Sequence, residues 1–169
     1  MSTTLDPIER PVLFLDFDGV IGAGRVWAQN ETKRWTSPAG WLDPVLIARL
    51  NRLVRRSGAD VVLSTSWRKY LTPRSTAAVL RACGFTGRVI GATEVMGEGI
   101  EQRHREVERW LRERPAVTRW VAVDDCEIAL PPERFVRTHA VHGLTDADVE
   151  RAVAILATPA PTAVLAPAA

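Results

Sequence analysis

The chain has 169 residues, of which 46% are hydrophobic and 25% charged, and its formal net charge is +2. This length suits one domain able to bury about two thirds of its unfolded surface, and the near balance of charge excludes a bulk polyelectrolyte binder while leaving room for a local basic patch. Cys83 and Cys126 without a CxxC spacing exclude a disulfide framework and a thiolate zinc site, and no apolar run approaches the ~20 residues that cross a bilayer.

Residues 1–10 lack the basic start and apolar core of a signal peptide, so they read as a lead-in to a cytoplasmic protein. "PVLFLD" is a continuous apolar run, the pattern of a strand buried on both faces. Residues 20–41 have no clear period and carry Trp27, Trp35 and Trp41. "LDPVLIARLNRLVRRSG" predicts a helix over 44–57. Asp43 is its N-cap, Pro44 its first residue, Leu42 and Ile47 its staple, and Gly58 its stop. "ADVVLSTSW" reads as the second strand, "TPRSTAAVLRACG" as a short helix and "RVIGAT" as the third strand. "GIEQRHREVERWLRERP" predicts a helix over about 100–114, "RWVAVDD" a fourth strand and "RFVRTH" a fifth. The last helix runs from about Thr145, where "TDAD" offers a capping pair, to about Ala157. The Pro/Ala-rich residues 158–169 read as a disordered tail. Strands alternating with helices imply an α/β fold: one domain over 11–157 with a mainly parallel five-stranded sheet.

In an open parallel sheet, ligands bind beyond the carboxyl ends of the strands. The first strand ends in Asp16 and Asp18, the second in Ser64, Thr65 and Ser66 followed by Arg68, and the fourth in Asp124 and Asp125. One Asp after a strand is ordinarily a cap or turn former; two pairs after different strands are harder to dismiss. Such carboxylates raise one another's pKa values, and a divalent cation relieves that. Oxygen donors without a partner thiolate or imidazole favour magnesium over zinc. Thr65, Ser66 and Arg68 offer hydrogen bonds and charge to an anion.

Val107, Trp110, Leu111 and Arg114 share one side of the helix over 100–114, and four residues back from Val107 stands Arg103. It opens the stripe that faces the sheet. A charge there needs an anionic partner, or is a snorkelling side chain whose head reaches water.

"FLDFDGVI", "VVLSTSWR", Arg103 and "VAVDDCE", in that order, resemble the four motifs of the haloacid dehalogenase (HAD) superfamily of phosphotransferases. "TSWR", "R..EVERWL" and "HGLTDADV" resemble a narrower group, the HAD-type domains associated with bacterial RNA repair proteins. The resemblance implies a HAD-like Rossmannoid fold and a phosphatase. Asp16 matches the nucleophile that forms an aspartyl-phosphate, and Asp18 the general acid that later activates water. Mg2+ would be held by Asp16, the Asp18 carbonyl and Asp124, with Asp125 beside them. Thr65 matches the hydroxyl that orients the phosphoryl group, and Arg103 the basic residue that many superfamily members supply as Lys.

Superfamily members differ in inserted cap domains. Residues 20–41 are too short for a large one, which leaves a flap and an open site able to admit a macromolecular end, such as an RNA or DNA terminus or a protein side chain, with a nucleotide or nucleic-acid end as the leading substrate. Trp27, Trp35 and Trp41 among Arg25, Lys33 and Arg34 fit base stacking with phosphate contact; they equally fit a small core under the flap. The bias to arginine, with Lys33 and Lys69 the only lysines among 22 basic residues, suits phosphate recognition or reflects genome composition. Rival readings are a small-metabolite phosphatase and a non-catalytic nucleic-acid-binding subunit.

Overall fold

The computed structural model describes residues 10–23, 38–97, 99 and 102–159. Its strands are β1 (Val12–Leu15), β2 (Asp60–Leu63), β3 (Val89–Ala92), β4 (Trp120–Asp124) and β5 (Phe135–Arg137), and its helices α1 (Pro44–Ser57), α2 (Pro73–Ala82), α3 (Arg103–Arg112) and α4 (Asp146–Ala157). The strands form one parallel sheet in the order β3-β2-β1-β4-β5. This is the expected α/β architecture, with β1 at the centre of the sheet.

Successive side chains of a strand face opposite ways, so β1 contributes to two cores. Leu13 and Leu15 join Leu50 and Leu53 of α1, Leu80 of α2, and Val149 and Ala152 of α4. Val12 and Phe14 join Val107, Trp110 and Leu111 of α3 on the other face. Phe14 meets the rings of Trp110 and Trp120 edge-on at 5.3 and 6.0 Å, a favoured aromatic geometry. All four β1 side chains are fully buried, which accounts for the unbroken apolar run.

The helix ends follow their capping residues. Asp43 accepts a hydrogen bond from the Val45 amide at 2.8 Å. Gly58, at φ 68°, closes α1 in the left-handed conformation that a Cβ disfavours. Thr145 and Asp148 form a reciprocal capping box on α4. Arg52–Asp146 and Arg56–Glu150 ion pairs join α1 to α4. The helix expected over 100–114 is shorter, beginning at Arg103 and ending at Arg112, with Gln102 as an N-cap whose side chain makes no capping hydrogen bond. "RFVRTH" contributes only Phe135–Arg137 to the sheet.

Sequence periodicity does not reveal two 3-10 turns, Pro38–Trp41 and Ser66–Lys69; such short elements complete no amphipathic repeat. Among the described residues no helix is long and apolar enough to cross a membrane. Trp27 and Trp35, with the middle of the expected flap, residues 1–9 of the lead-in and residues 160–169 of the tail, lie outside the described residues.

Candidate active site

The carboxyl ends of β1, β2 and β4 converge with the first residue of α3. Asp16 follows β1 directly, and its amide donates to the Val123 carbonyl of β4 at 3.1 Å. Asp124 is the last residue of β4. Arg103 lies between them, with Nη1 3.0 Å from Asp16 Oδ2 and 2.5 Å from Asp124 Oδ2. Its side chain is only 10% exposed. The alternative of a head reaching water therefore does not hold: the guanidinium reaches two buried carboxylates instead.

The chain then turns sharply through residues 16–22. Phe17 swings into the core and meets the Trp67 ring edge-on at 5.1 Å. Asp18 stays at the rim, half-buried, and accepts from Ser66 Oγ and Trp67 Nε1, each at 3.4 Å. Gly19 has φ 71°, and a Cβ on it would lie 2.4 Å from the Asp125 carboxyl. Only glycine suits both the backbone angle and the space. Thr138, just past β5, donates from Oγ1 to the Gly19 carbonyl at 2.8 Å and pins this turn from across the sheet.

From β2 come Thr65, fully buried, and Ser66. Thr65 Oγ1 accepts from the Trp67 amide at 3.4 Å and so caps the 3-10 turn that carries Ser66 and Trp67 to Asp18. Arg68, expected among the anion contacts, is engaged within the fold. Its Nη2 binds Glu106 Oε2 of α3 at 2.7 Å, its Nε the Thr65 carbonyl at 2.7 Å, and its Nη1 the Thr93 carbonyl at 3.0 Å. The two side chains are 7% and 4% exposed. The third tryptophan of the expected flap, Trp41, is half-buried, and its carbonyl sits 2.7 Å from where a Gly22 Cβ would stand.

Burial pushes the Asp16 carboxyl up to about 7; the Asp124 charge adds to this, and Arg103 and the Phe17 amide oppose it. Burial also raises Asp18, against hydrogen bonds from Trp67 and Ser66, and raises Asp124 against Arg103. Burial works against the Arg103 charge, but Asp16 and Asp124 outweigh it and hold the guanidinium protonated. Burial and then Asp125 push the Cys126 thiol up to about 11, so it stays a thiol. One arginine thus does not balance the carboxylates around it.

Two further features suit a cation. Asp16 Oδ1 is buried without a hydrogen-bond partner, although a buried polar atom normally has one. Ligand atoms of Asp124, Asp125 and Cys126 lie within 4.8 Å of one another. The carboxylates of Asp16, Asp124 and Asp125, with the Asp18 carbonyl, are hard oxygen donors of the type that takes Mg2+.

Three participants escape a linear reading. Trp67 reads as a cation-flanked aromatic, and only the 3-10 turn brings its Nε1 to Asp18. Glu106 sits three residues after Arg103, and its pairing with Arg68 across 38 positions has no local signal. Thr138 acts on Gly19 across 119 positions.

A parallel sheet with an Asp-x-Asp turn after its central strand, an acidic end on the neighbouring strand and a bridging cation between them has the HAD-type architecture. Over residues 12–149 the sequence matches the family described as "HAD domain in Swiss Army Knife RNA repair proteins", and the chain belongs to that family. Comparison with curated proteins and with solved structures gives no match.

Proposed function

We propose that this domain is a cytoplasmic, Mg2+-dependent phosphomonoester hydrolase acting through an aspartyl-phosphate on Asp16. The observation that carries the reading is the Arg103 guanidinium bridging Asp16 and Asp124 while Asp16 Oδ1 is left without a partner. Asp16 attacks phosphorus, and the P–O bond to the leaving alcohol breaks. Asp18 donates its proton to that oxygen, and its raised pKa suits the role. Asp18 then takes a proton from the water that attacks the aspartyl-phosphate, releasing phosphate and restoring Asp16. Arg103 offsets negative charge between nucleophile and phosphoryl group, and Thr65 and Ser66 supply hydroxyls to the phosphoryl oxygens. Asp16, the Asp18 carbonyl and Asp124, with Asp125 close by, would hold Mg2+, which supplies Lewis-acid stabilisation of the phosphoryl charge. Arg68 acts behind the site by tying the Thr65–Lys69 segment to α3.

The substrate we infer is a nucleotide or a phosphorylated RNA or DNA end. Membership of a family of domains from RNA repair proteins supports this, as do the tryptophans and cations of residues 20–41.

The test is hydrolysis of an aryl phosphate with and without Mg2+. Wild type is expected to turn over only with the metal, and Asp16→Asn to fall by at least ~1,000-fold. A screen of phosphorylated oligonucleotides, nucleotides, sugars and peptides then separates a nucleic-acid end from a small metabolite. No hydrolysis of any phosphomonoester, combined with tight oligonucleotide binding, would replace the reading with a binding module. Trp35→Ala is expected to impair an oligonucleotide substrate more than an aryl phosphate; equal effects would remove the stacking role.

A further inference from the structure

At the opposite end of the strands from the acidic rim, Arg10, Arg55, Arg81 and Arg88 line a depression of about 430 Å3. Arg10 precedes β1, Asp60 opens β2, and Arg88 stands directly before β3. The strands between the two ends have four or five residues, so about 13 Å of sheet separates this depression from the acidic rim. Nothing in the chemistry assigned to Asp16 and its neighbours uses it.

We propose that this depression binds the phosphodiester backbone of a nucleic-acid strand, away from the end held at the acidic rim. Four guanidiniums line the depression, and one carboxylate, Asp60, pairs with two of them, a local excess of three positive charges. Asp60 is fully buried and acts as a fixed anchor. It receives Arg88 through both carboxylate oxygens and lies 3.6 Å from Arg10, whose Nε also donates to the Gly58 carbonyl at 3.0 Å. Two of the four cations are thereby held in place before any ligand arrives.

Arg55 and Arg81 differ. Both are exposed, and neither guanidinium has a carboxylate or hydrogen-bond partner among the described residues. The contrast lies within one helix. Arg49, Arg52 and Arg56 of α1 pair with Asp146 and Glu150 of α4, whereas Arg55 points to the depression. Arginine's planar fork matches phosphate oxygens bidentately.

The lining also discriminates between polyanions. Its apolar members, Val54 and Ala59, are 6% and 2% exposed. An acidic protein partner would need apolar or aromatic anchors seated at the centre of its contact, and this surface offers none. A phosphodiester chain needs only spaced cations, because counterion release drives its binding.

The test is fluorescence anisotropy of a labelled oligouridylate, titrated with the full chain in chelator across a range of salt. No metal or turnover is involved, so failure of the phosphatase reading leaves the result intact, and the reverse holds too. Arg55→Ala/Arg81→Ala is expected to weaken binding roughly tenfold and to lower the slope of log affinity against log salt by about 1.4, at about 0.7 per lost contact. Arg55→Lys/Arg81→Lys should keep most of the slope, and thermal melts of both variants should match wild type because the two side chains are exposed. Unchanged affinity and slope in the alanine variant would overturn the proposal. So would equal loss in the lysine and alanine variants, or displacement of the oligouridylate by polyglutamate as readily as by unlabelled polyuridylate.

Discussion

Asp16 is a carboxylate placed where its own surroundings resist its charge. Burial and Asp124 hold its pKa up, and Arg103 compensates only in part, yet the nucleophilic role proposed for Asp16 requires it to be ionised. Arg103→Ala should therefore lower kcat/KM by about 100- to 1,000-fold, the usual loss when one preorganised electrostatic contact is removed; steady-state kinetics checks it. Trp67 acts on the neighbouring carboxyl. Its Nε1–H favours ionised Asp18, so Trp67→Phe keeps the ring and removes the donor. The Asp18 pKa should rise. In the general-acid role proposed for Asp18, activity is lost on deprotonation, so the basic limb of the kcat/KM profile should move to higher pH. A limb that stays in place would remove Trp67 from the proton donor's environment. At this scale the sequence was informative about which residue types end each strand, since charge after an apolar run is visible in one dimension. It did not reveal that Arg68 is held by Glu106, because an arginine beside a hydroxyl-rich turn looks the same whether it faces a ligand or another helix.

Elements were legible where their ends carry local chemistry. Asp43, Pro44 and Gly58 bound α1, and Thr145 with Asp148 opens α4, because capping hydrogen bonds join residues only two to four apart. The start of α3 was misplaced by about three residues. Its N-cap position is Gln102, which makes no capping hydrogen bond and so leaves no signature. What holds α3 in place is tertiary: Arg103 at its first turn binds the rim, and Glu106 one turn on binds Arg68 and the Met96 amide. Removing one member of a buried ion pair strands the other charge, which costs about 3–5 kcal/mol. Glu106→Ala should destabilise the domain by that order in denaturant melts. A double-mutant cycle with Arg68→Ala should show strong coupling, since the second substitution removes the stranded charge. A small single-mutant effect would mean that Arg68 finds water or another acceptor.

For the whole molecule, the alternation of strands and helices was enough to expect a parallel five-stranded sheet. The order β3-β2-β1-β4-β5 was not readable, because strand order depends on contacts far apart in the chain. That order makes β1 and β4 neighbours and brings Asp124 to Asp16. Thr138, from beyond β5, reaches Gly19 by the same topology. The assembled rim also makes stability depend on pH. A carboxyl whose pKa is higher in the folded state favours folding while protonated, so the Asp16 contribution is full below its ordinary 3.8 and is lost as pH rises to about 7. Asp146 and Glu150 act in the opposite sense, being held low by Arg52 and Arg56, and their stabilisation is already present above 3.8 and 4.5. Metal-free protein should therefore lose thermal stability between about pH 5 and pH 7, and Asp16→Asn should flatten that decline. Mg2+ should raise the melting temperature more near pH 8 than near pH 5, since its ligands must be ionised. A metal-free melting curve that is flat across this window would remove the electrostatic case for a cation at the rim.

Covalent chemistry at Asp16 can be tested by trapping its intermediate. Enzyme turning over an aryl phosphate with Mg2+ is quenched in acid and reduced with borohydride, which converts an acyl phosphate to the alcohol, and the peptide containing "FLDFDG" is sequenced by mass spectrometry. Covalent catalysis at Asp16 predicts homoserine at position 16 and unmodified Asp18. Homoserine at position 18, or hydrolysis that proceeds with no reducible carboxyl in this peptide, would contradict it.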